Sequence, residues 1–335
     1  MTTTKVPNIT NSATPPPSSN ATEPAQPQAQ RPVHATTGAY RWMYAQYIRR
    51  PGDPTLTNLV EFENLSLAVR QHLAEQMGEK TKNKAARAFW AHGRPGEGKT
   101  VGILHAVTNA GWNLAIVPSA HLAGKEEGAP IEFLNAILAE LVLMSSVTHT
   151  NYAILLDDLD LGIANASDDM GKTVNSDLLV NHIMALCDNR HLYRNTSGAN
   201  IPIFVTANNA SGMRESLLRD GRATHYTHKP TQEDRANIAW ALLQPKTTAE
   251  RELVAEVVHK NKHKSVAFWT ALVHRIRALH RRPIIGHGMP DKATIDVTYQ
   301  DRMPLDPDIV WQAVRDLRVN HVRNYLNKAR RFFRA

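Results

Sequence analysis

Short apolar runs alternate with stretches of helical period through the middle of the chain. Residues 86 to 92 (ARAFWAH), 114 to 118 (LAIVP), 152 to 156 (YAILL) and 201 to 207 (IPIFVTA) are dominated by apolar side chains, the pattern of strands buried on both faces of a parallel sheet. Between them, VGILHAVTNA at 101 to 110 and the stretches 131 to 145 and 175 to 188 repeat apolar positions every three or four residues. That period predicts helices covering the sheet. Ahead of the first strand, TNLVEFENLSLAVRQHLAEQM at 57 to 77 has the pattern of an amphipathic helix. Beyond Pro230 the strand-like runs stop, and TQEDRANIAWALL, ERELVAEVVHK, SVAFWTALVHRIRALH and DPDIVWQAVRDLRVNHVRNYL predict helices alone. The expected organisation is a Pro/Ser/Thr-rich disordered arm at 1 to 36, an α/β nucleotide-binding domain at 37 to 228, and an α-helical domain at 229 to 335 ending in a basic helix.

Length and composition narrow the classes. A chain of 335 residues exceeds the roughly 250 to 300 at which a single core stops growing, so two folded units are expected. No stretch approaches 18 uninterrupted apolar residues, and the N-terminus lacks both a basic start and an apolar signal core. Neither membrane spanning nor secretion is indicated, and the cytoplasm is the expected compartment. Cys187 is the only cysteine, which speaks against disulfide and zinc chemistry. The net charge of +8 is a weak signal, but residues 317 to 335 carry six Lys or Arg and no acid. That stretch fits either a grip on nucleic acid through phosphates and stacking, or a terminal amphipathic helix with a solvated basic face.

The strongest motif follows the first predicted strand. Gly93-Arg94-Pro95-Gly96-Glu97-Gly98-Lys99-Thr100 matches G-x-x-x-x-G-K-[ST] and opens a predicted helix, the context that this phosphate loop requires. Its glycines let backbone N–H groups and a helix N-terminus face phosphate oxygens. Lys99 would neutralise the β- and γ-phosphates of ATP, and Thr100 would take a Mg²⁺ position. Asp157 and Asp158 end the apolar run at 152 to 156, at the strand edge where ligands bind in open α/β sheets. Asp157 suits the Mg²⁺ shell, Asp158 the orientation or polarisation of an attacking water, and Asp160 a supporting contact. Asn208 ends the fourth run, positioned to hold a water or the γ-phosphate. Arg219 and Arg222, in LLRDGR, suit the stabilisation of charge on a transferring phosphoryl group.

In this order and spacing, phosphate loop, Asp-Asp, Asn and Arg-x-x-Arg before a helical segment resemble the AAA+ ATPases. LLDDLDLG, MGKTVNSDLLVNHIMALCDN, IPIFVTANNASGMRESLLRDGR and KPTQEDR resemble segments of green-type Rubisco activase, and SVAFWTALVHRIR resembles its lid-domain sensor helix, over about residues 86 to 280. The resemblance implies a parallel sheet sandwiched by helices with a helical lid, and an ATPase that remodels a client protein complex, with Rubisco as the candidate client. It further implies a homo-oligomeric ring, a hexamer, with a pore that threads or tugs the client. By position it implies Asn208 as sensor 1, Arg219 and Arg222 as arginine fingers acting on a neighbouring subunit, and Arg275 as a sensor 2 arginine contacting nucleotide. SAHLAGKEEGAP at 119 to 130 would hold a first pore loop and the segment near Asn165 to Thr173 a second. A chloroplast location is the alternative to the cytoplasm. The first pore segment matches only loosely and offers His121 and Leu122 in place of an aromatic. The runner-up function is a nucleic-acid-associated AAA+ ATPase such as a helicase loader or mobile-element ATPase.

Overall fold

The computed structural model describes residues 43–56, 59–78, 80–82, 84–122, 126–160, 174–189, 192–194, 200–208, 219, 221–285, 288, 291–293 and 304–319. The N-terminal arm, the expected second pore segment and the basic stretch beyond Val319 lie outside these residues.

Six strands form one sheet in the order β1-β3-β4-β5-β2-β6: β1 (Ile48–Arg49), β2 (Ala88–His92), β3 (Asn113–Pro118), β4 (Tyr152–Asp157), β5 (Ile203–Ala207) and β6 (Ala223–Thr227). Strands β2 to β6 run parallel, and β1 joins β3 antiparallel at one edge. Eight α-helices accompany them among the described residues: α1 (Glu63–Met77), α2 (Lys99–Asn109), α3 (Ala129–Thr148), α4 (Val174–Asp188), α5 (Gln232–Leu243), α6 (Thr248–Asn261), α7 (Val266–Ile285) and α8 (Pro307–Val319). The four apolar runs became β2 to β5. The sequence pattern did not predict β6, because ATHYT at an edge buries only its first residue and lacks the continuous apolar signature of a covered strand.

Successive side chains on a strand point to opposite faces, so the sheet feeds two separate apolar layers. Phe89, Leu114, Ala153, Leu155 and Phe204 pack under α1 and α2, in a cluster that runs on through Ile238, Val254, Trp269, Leu272 and Val310 of the C-terminal helices. Trp90, Val117, Ile154, Leu156 and Val205 pack under α3 and α4. Helix α1 presents Leu65, Val69 and Leu73, spaced by one turn, to the first layer. Helix α3 is long and apolar enough in composition to cross a membrane, yet Leu134, Ile137, Leu138 and Leu141 are fully buried against the sheet. It is a core helix of this fold. Helices α5 and α6 each start with a reciprocal capping box, Thr231 with Asp234 and Thr247 with Glu250, which pairs N–H groups that a helix start otherwise leaves without partners. Strand β2 lies between β5 and β6, so the chain leaving it must cross β5 and β4 to reach β3. That reversal of strand order opens a crevice at the carboxyl edge of the sheet.

Candidate nucleotide-binding site

The phosphate loop fills that crevice. Gly96 and Gly98 stand at φ 71° and 85°, left-handed values that L side chains rarely adopt. Crowding adds a second demand at each: a Cβ on Gly96 would press on the Ala267 methyl, and one on Gly98 on the Phe62 ring. With Gly98 as its cap, α2 begins at Lys99 and leaves its first N–H groups directed at the loop, together with the positive end of the helix dipole.

Lys99 folds back over the loop. Its Nζ donates to the carbonyls of Gly93 (3.0 Å) and Arg94 (3.1 Å) and to Asn208 Oδ1 (2.9 Å). Burial lowers its pKa, against the opposing pull of Asp158, Asp160 and Asp157. Thr100 Oγ1 donates to Asp157 Oδ1 at 2.6 Å, and Thr206 Oγ1 donates to the same oxygen at 2.7 Å. Thr206 also accepts from the Asp158 backbone N–H at 2.8 Å, so one hydroxyl inside β5 sets the position of both aspartates. Asp158 has φ 51°, a left-handed conformation that aspartate tolerates better than most side chains, and its Oδ1 accepts from Asn208 Nδ2 at 3.3 Å. Burial first, then the adjacent Asp157, raises the Asp158 pKa from its ordinary value. Asn208 is in turn fixed by its backbone N–H, which donates to Asp160 Oδ2 at 2.9 Å.

The structure therefore brings Gly93 to Thr100, Asp157, Asp158 and Asn208 together at one end of β2, β4 and β5. Arg219 and Arg222, expected to act on a neighbouring subunit, and Arg275 lie away from this chain's own phosphate loop. Arg222 forms a two-pronged pair with Asp188 at the end of α4, both bonds 2.7 Å. Its carbonyl accepts from Ala88 N–H, which sets it level with the start of β2, one strand length from the phosphate loop. Arg219, whose carbonyl accepts from the Arg222 N–H, is exposed on the same edge. Arg275 pairs with Asp316 of α8. The start of α7 does reach the loop, where Ala267 N–H donates to the Gly96 carbonyl at 2.8 Å. Arg275 stands eight residues further along, about 12 Å at the helical rise.

A different arginine from the helical segment meets the loop. Arg235 of α5 donates to both carboxylate oxygens of Glu97, at 3.3 and 3.0 Å, and the Glu97 carbonyl contacts His228 Nε2 at 2.9 Å. Burial lowers the His228 pKa, and the edge of its ring meets Phe62. The carbonyl of His228 lies where a Cβ on Gly93 would sit. Thr206, His228 and Arg235 were not singled out from the sequence. The signals available were a hydroxyl inside the otherwise apolar IPIFVTA for Thr206 and the segment KPTQEDR, which ends in Arg235.

The residues fit ATP and Mg²⁺. A partly desolvated ammonium, a loop of glycines crowded against their neighbours, a helix N-terminus and the Thr100–Asp157 pair provide a cradle for phosphate oxygens and two oxygen ligands for a hard cation.

Residues 90–231 match the family model "ATPase family associated with various cellular activities (AAA)". The chain is 26% identical over 200 residues to ribulose bisphosphate carboxylase/oxygenase activase of Nostoc sp., a stretch covering 58% of this chain and 48% of that protein. It is 26% identical over 213 residues to the chloroplastic activase of Chlamydomonas reinhardtii, covering 61% and 51%. The chain spans about half the length of the relatives it matches. With the five-strand parallel core and the phosphate loop on its switch point, residues 90–231 form an AAA+ ATPase domain, in a chain that resembles Rubisco activase.

Proposed function

We propose that the chain hydrolyses ATP with Mg²⁺ at this site, and that it works as a homo-oligomeric ring, a hexamer, which remodels a client protein complex, Rubisco being the first to test. The observation that carries the hydrolytic reading is the chain of bonds from Lys99 through Asn208 to Asp158, beside the Thr100–Asp157 pair. ATP supplies the phosphoryl group, and Mg²⁺ supplies charge neutralisation across its oxygens. Lys99 holds its positive charge where the loop carbonyls aim it. Thr100 and Asp157 present two oxygens to the cation, and Thr206 keeps Asp157 from rotating away. Asp158, whose pKa is raised by burial and by the adjacent Asp157, is the carboxylate placed to accept a proton, and it orients the attacking water together with the Asn208 amide.

The ring part of the proposal rests on the placement of Arg219 and Arg222. Both lie on the edge of the sheet away from their own phosphate loop, so any use in catalysis is toward another subunit. The expected first pore segment begins at the carboxyl end of β3, on the same edge as the phosphate loop. There His121 Nδ1 is bonded to the Tyr47 hydroxyl at 3.0 Å. The second reading, a nucleic-acid-associated ATPase, draws on the Lys- and Arg-rich residues 317 to 335. The test is ATP turnover of the purified chain with and without Mg²⁺. Lys99→Ala should lose nucleotide binding, whereas Asp158→Asn should bind ATP and turn over at least 100-fold more slowly. Full turnover in Asp158→Asn would remove its assigned role, and turnover stimulated by DNA but not by Rubisco would favour the second reading.

A further inference from the structure

Between Glu256 and Asp291 the chain has no acidic residue, and in those 34 positions it carries seven Lys or Arg and five His. The structure gathers part of this charge with a contribution from another helix. Helix α6 ends at Asn261, and the turn that follows holds Lys262 and Lys264 before α7 starts at Val266. Arg318, one residue from the end of α8, donates to Asn261 Oδ1 at 3.0 Å. Lys260 stands over the Trp311 ring at 4.9 Å and Lys264 over the Phe268 ring at 5.6 Å. Four cations thus meet around one turn, with two half-buried aromatic rings beneath them. Glu256 pairs with Lys260, the single acid in contact with this group among the described ion pairs.

We propose that this turn, with the end of α8, binds the phosphate backbone of single-stranded nucleic acid. Three of the four cations are lysines, compact point charges suited to phosphate oxygens of any orientation. Carboxylate recognition on an acidic protein instead favours the two-pronged geometry of arginine. Trp311 and Phe268 lie half-buried beneath Lys260 and Lys264, so a strand that draws these lysines onto its phosphates uncovers ring faces on which an unpaired base can stack. The chain leaving the patch at Arg318 continues as RVNHVRNYLNKARRFFRA, again without an acid and with further aromatics. The N-terminal arm is excluded as an occupant by its near lack of charge. The inference does not depend on the client named above.

The test uses the full chain and a fluorescein-labelled 30-mer of mixed sequence, titrated by anisotropy at several salt concentrations from 50 to 300 mM. Each neutralised phosphate contributes about 0.7 to the slope of log K against log salt for single strands. The Lys262→Ala/Lys264→Ala variant should therefore lose about 1.4 from the wild-type slope and bind on the order of tenfold or more weakly at 50 mM salt. Lys262→Arg/Lys264→Arg, which keeps the charge, should bind as wild type does. ATP turnover without oligonucleotide and the urea midpoint should be unchanged in both. Absence of binding at 50 mM salt overturns the proposal. So does an unchanged slope in the alanine variant while Arg330→Ala/Arg331→Ala abolishes binding, since the C-terminal stretch would then act alone. Binding of phosphatidylserine vesicles without binding of the oligonucleotide overturns it in favour of a membrane surface.

Discussion

Asp158 combines a positive φ, a raised pKa and a hydrogen bond to Asn208. Any one of these occurs in ordinary turns, but together they mark a residue held where relaxation would move it. Asparagine at 158 keeps the shape and the contact with Asn208 while removing the basic oxygen. If Asp158 accepts the proton, turnover must fall as acid protonates it. Because the folded environment favours the neutral form, that fall is expected at a pH above the ordinary aspartate value of 3.8. A kcat profile whose acid limb lies at or below that value would deny it the role. His72 shows the same physics without a functional site. It is buried between Phe89 and Phe204 beside the backbone of Arg87, neither ring nitrogen makes a hydrogen bond of good geometry, and burial pushes its pKa down to about 4. The unfolded chain therefore takes up this proton first, and stability is lost as pH falls from about 6.5 toward 4. The difference approaches about 3 kcal/mol at the acid end, from 1.36 kcal/mol per unit. Urea unfolding at pH 7 and pH 4.5 checks this: His72→Phe should lose less stability between the two than wild type. An equal loss would show that His72 takes up no extra proton on unfolding.

At the scale of elements, the phosphate loop is held from the helical segment at two points: Glu97 by Arg235 of α5, and the Gly96 carbonyl by the first turn of α7. The Arg235 and Glu97 side chains are 16% and 7% exposed, so losing either leaves a largely desolvated charge unmatched. Arg235→Ala is expected to raise the KM for ATP several-fold and to lower the urea midpoint. In a double-mutant cycle with Glu97→Gln, the combined loss should fall short of the sum. Strict additivity would show that the pair does not couple the loop to α5. This contact also shows where sequence reasoning stops. The apolar runs announced β2 to β5 because burial on both faces leaves no alternative, and the phosphate loop was legible because glycines, Lys99 and Thr100 have a fixed chemical use at fixed spacing. Which arginine of a helical segment reaches the loop depends on where each helix begins relative to it. The resemblance pointed to Arg275, which pairs with Asp316 in this chain, while Arg235 is the arginine that meets Glu97. Thr206 escaped notice for a related reason, since a single hydroxyl in an apolar strand gains meaning only when β4 is seen beside it.

For the whole molecule, the sheet itself separates the arginines from their own site. Arg222 is level with Ala88 at the start of β2, and the phosphate loop follows His92 at its end, a separation of about 16 Å along five residues. Neither Arg219 nor Arg222 can therefore serve the loop of its own chain while the sheet is intact. Arg222 is at present neutralised by Asp188, so its use on a neighbour's phosphates requires that pair to open or to be shared. If these residues complete an adjacent site, an isolated chain should bind ATP and hydrolyse it poorly, and turnover per chain should rise with protein concentration. Supply of such an arginine from another subunit raises phosphoryl-transfer rates by on the order of 10³ or more in other systems. Mixing an Arg219→Ala/Arg222→Ala double mutant with Lys99→Ala, each nearly inactive alone, should restore part of the activity. Some interfaces will then join an intact Lys99 to intact arginines from the next subunit. If mixed assemblies form and stay inactive, or if specific activity is flat down to verified monomer, the two arginines do not act between subunits. In that event Arg222 is left with a structural use, its pair with Asp188 fastening the end of α4 to the start of β6.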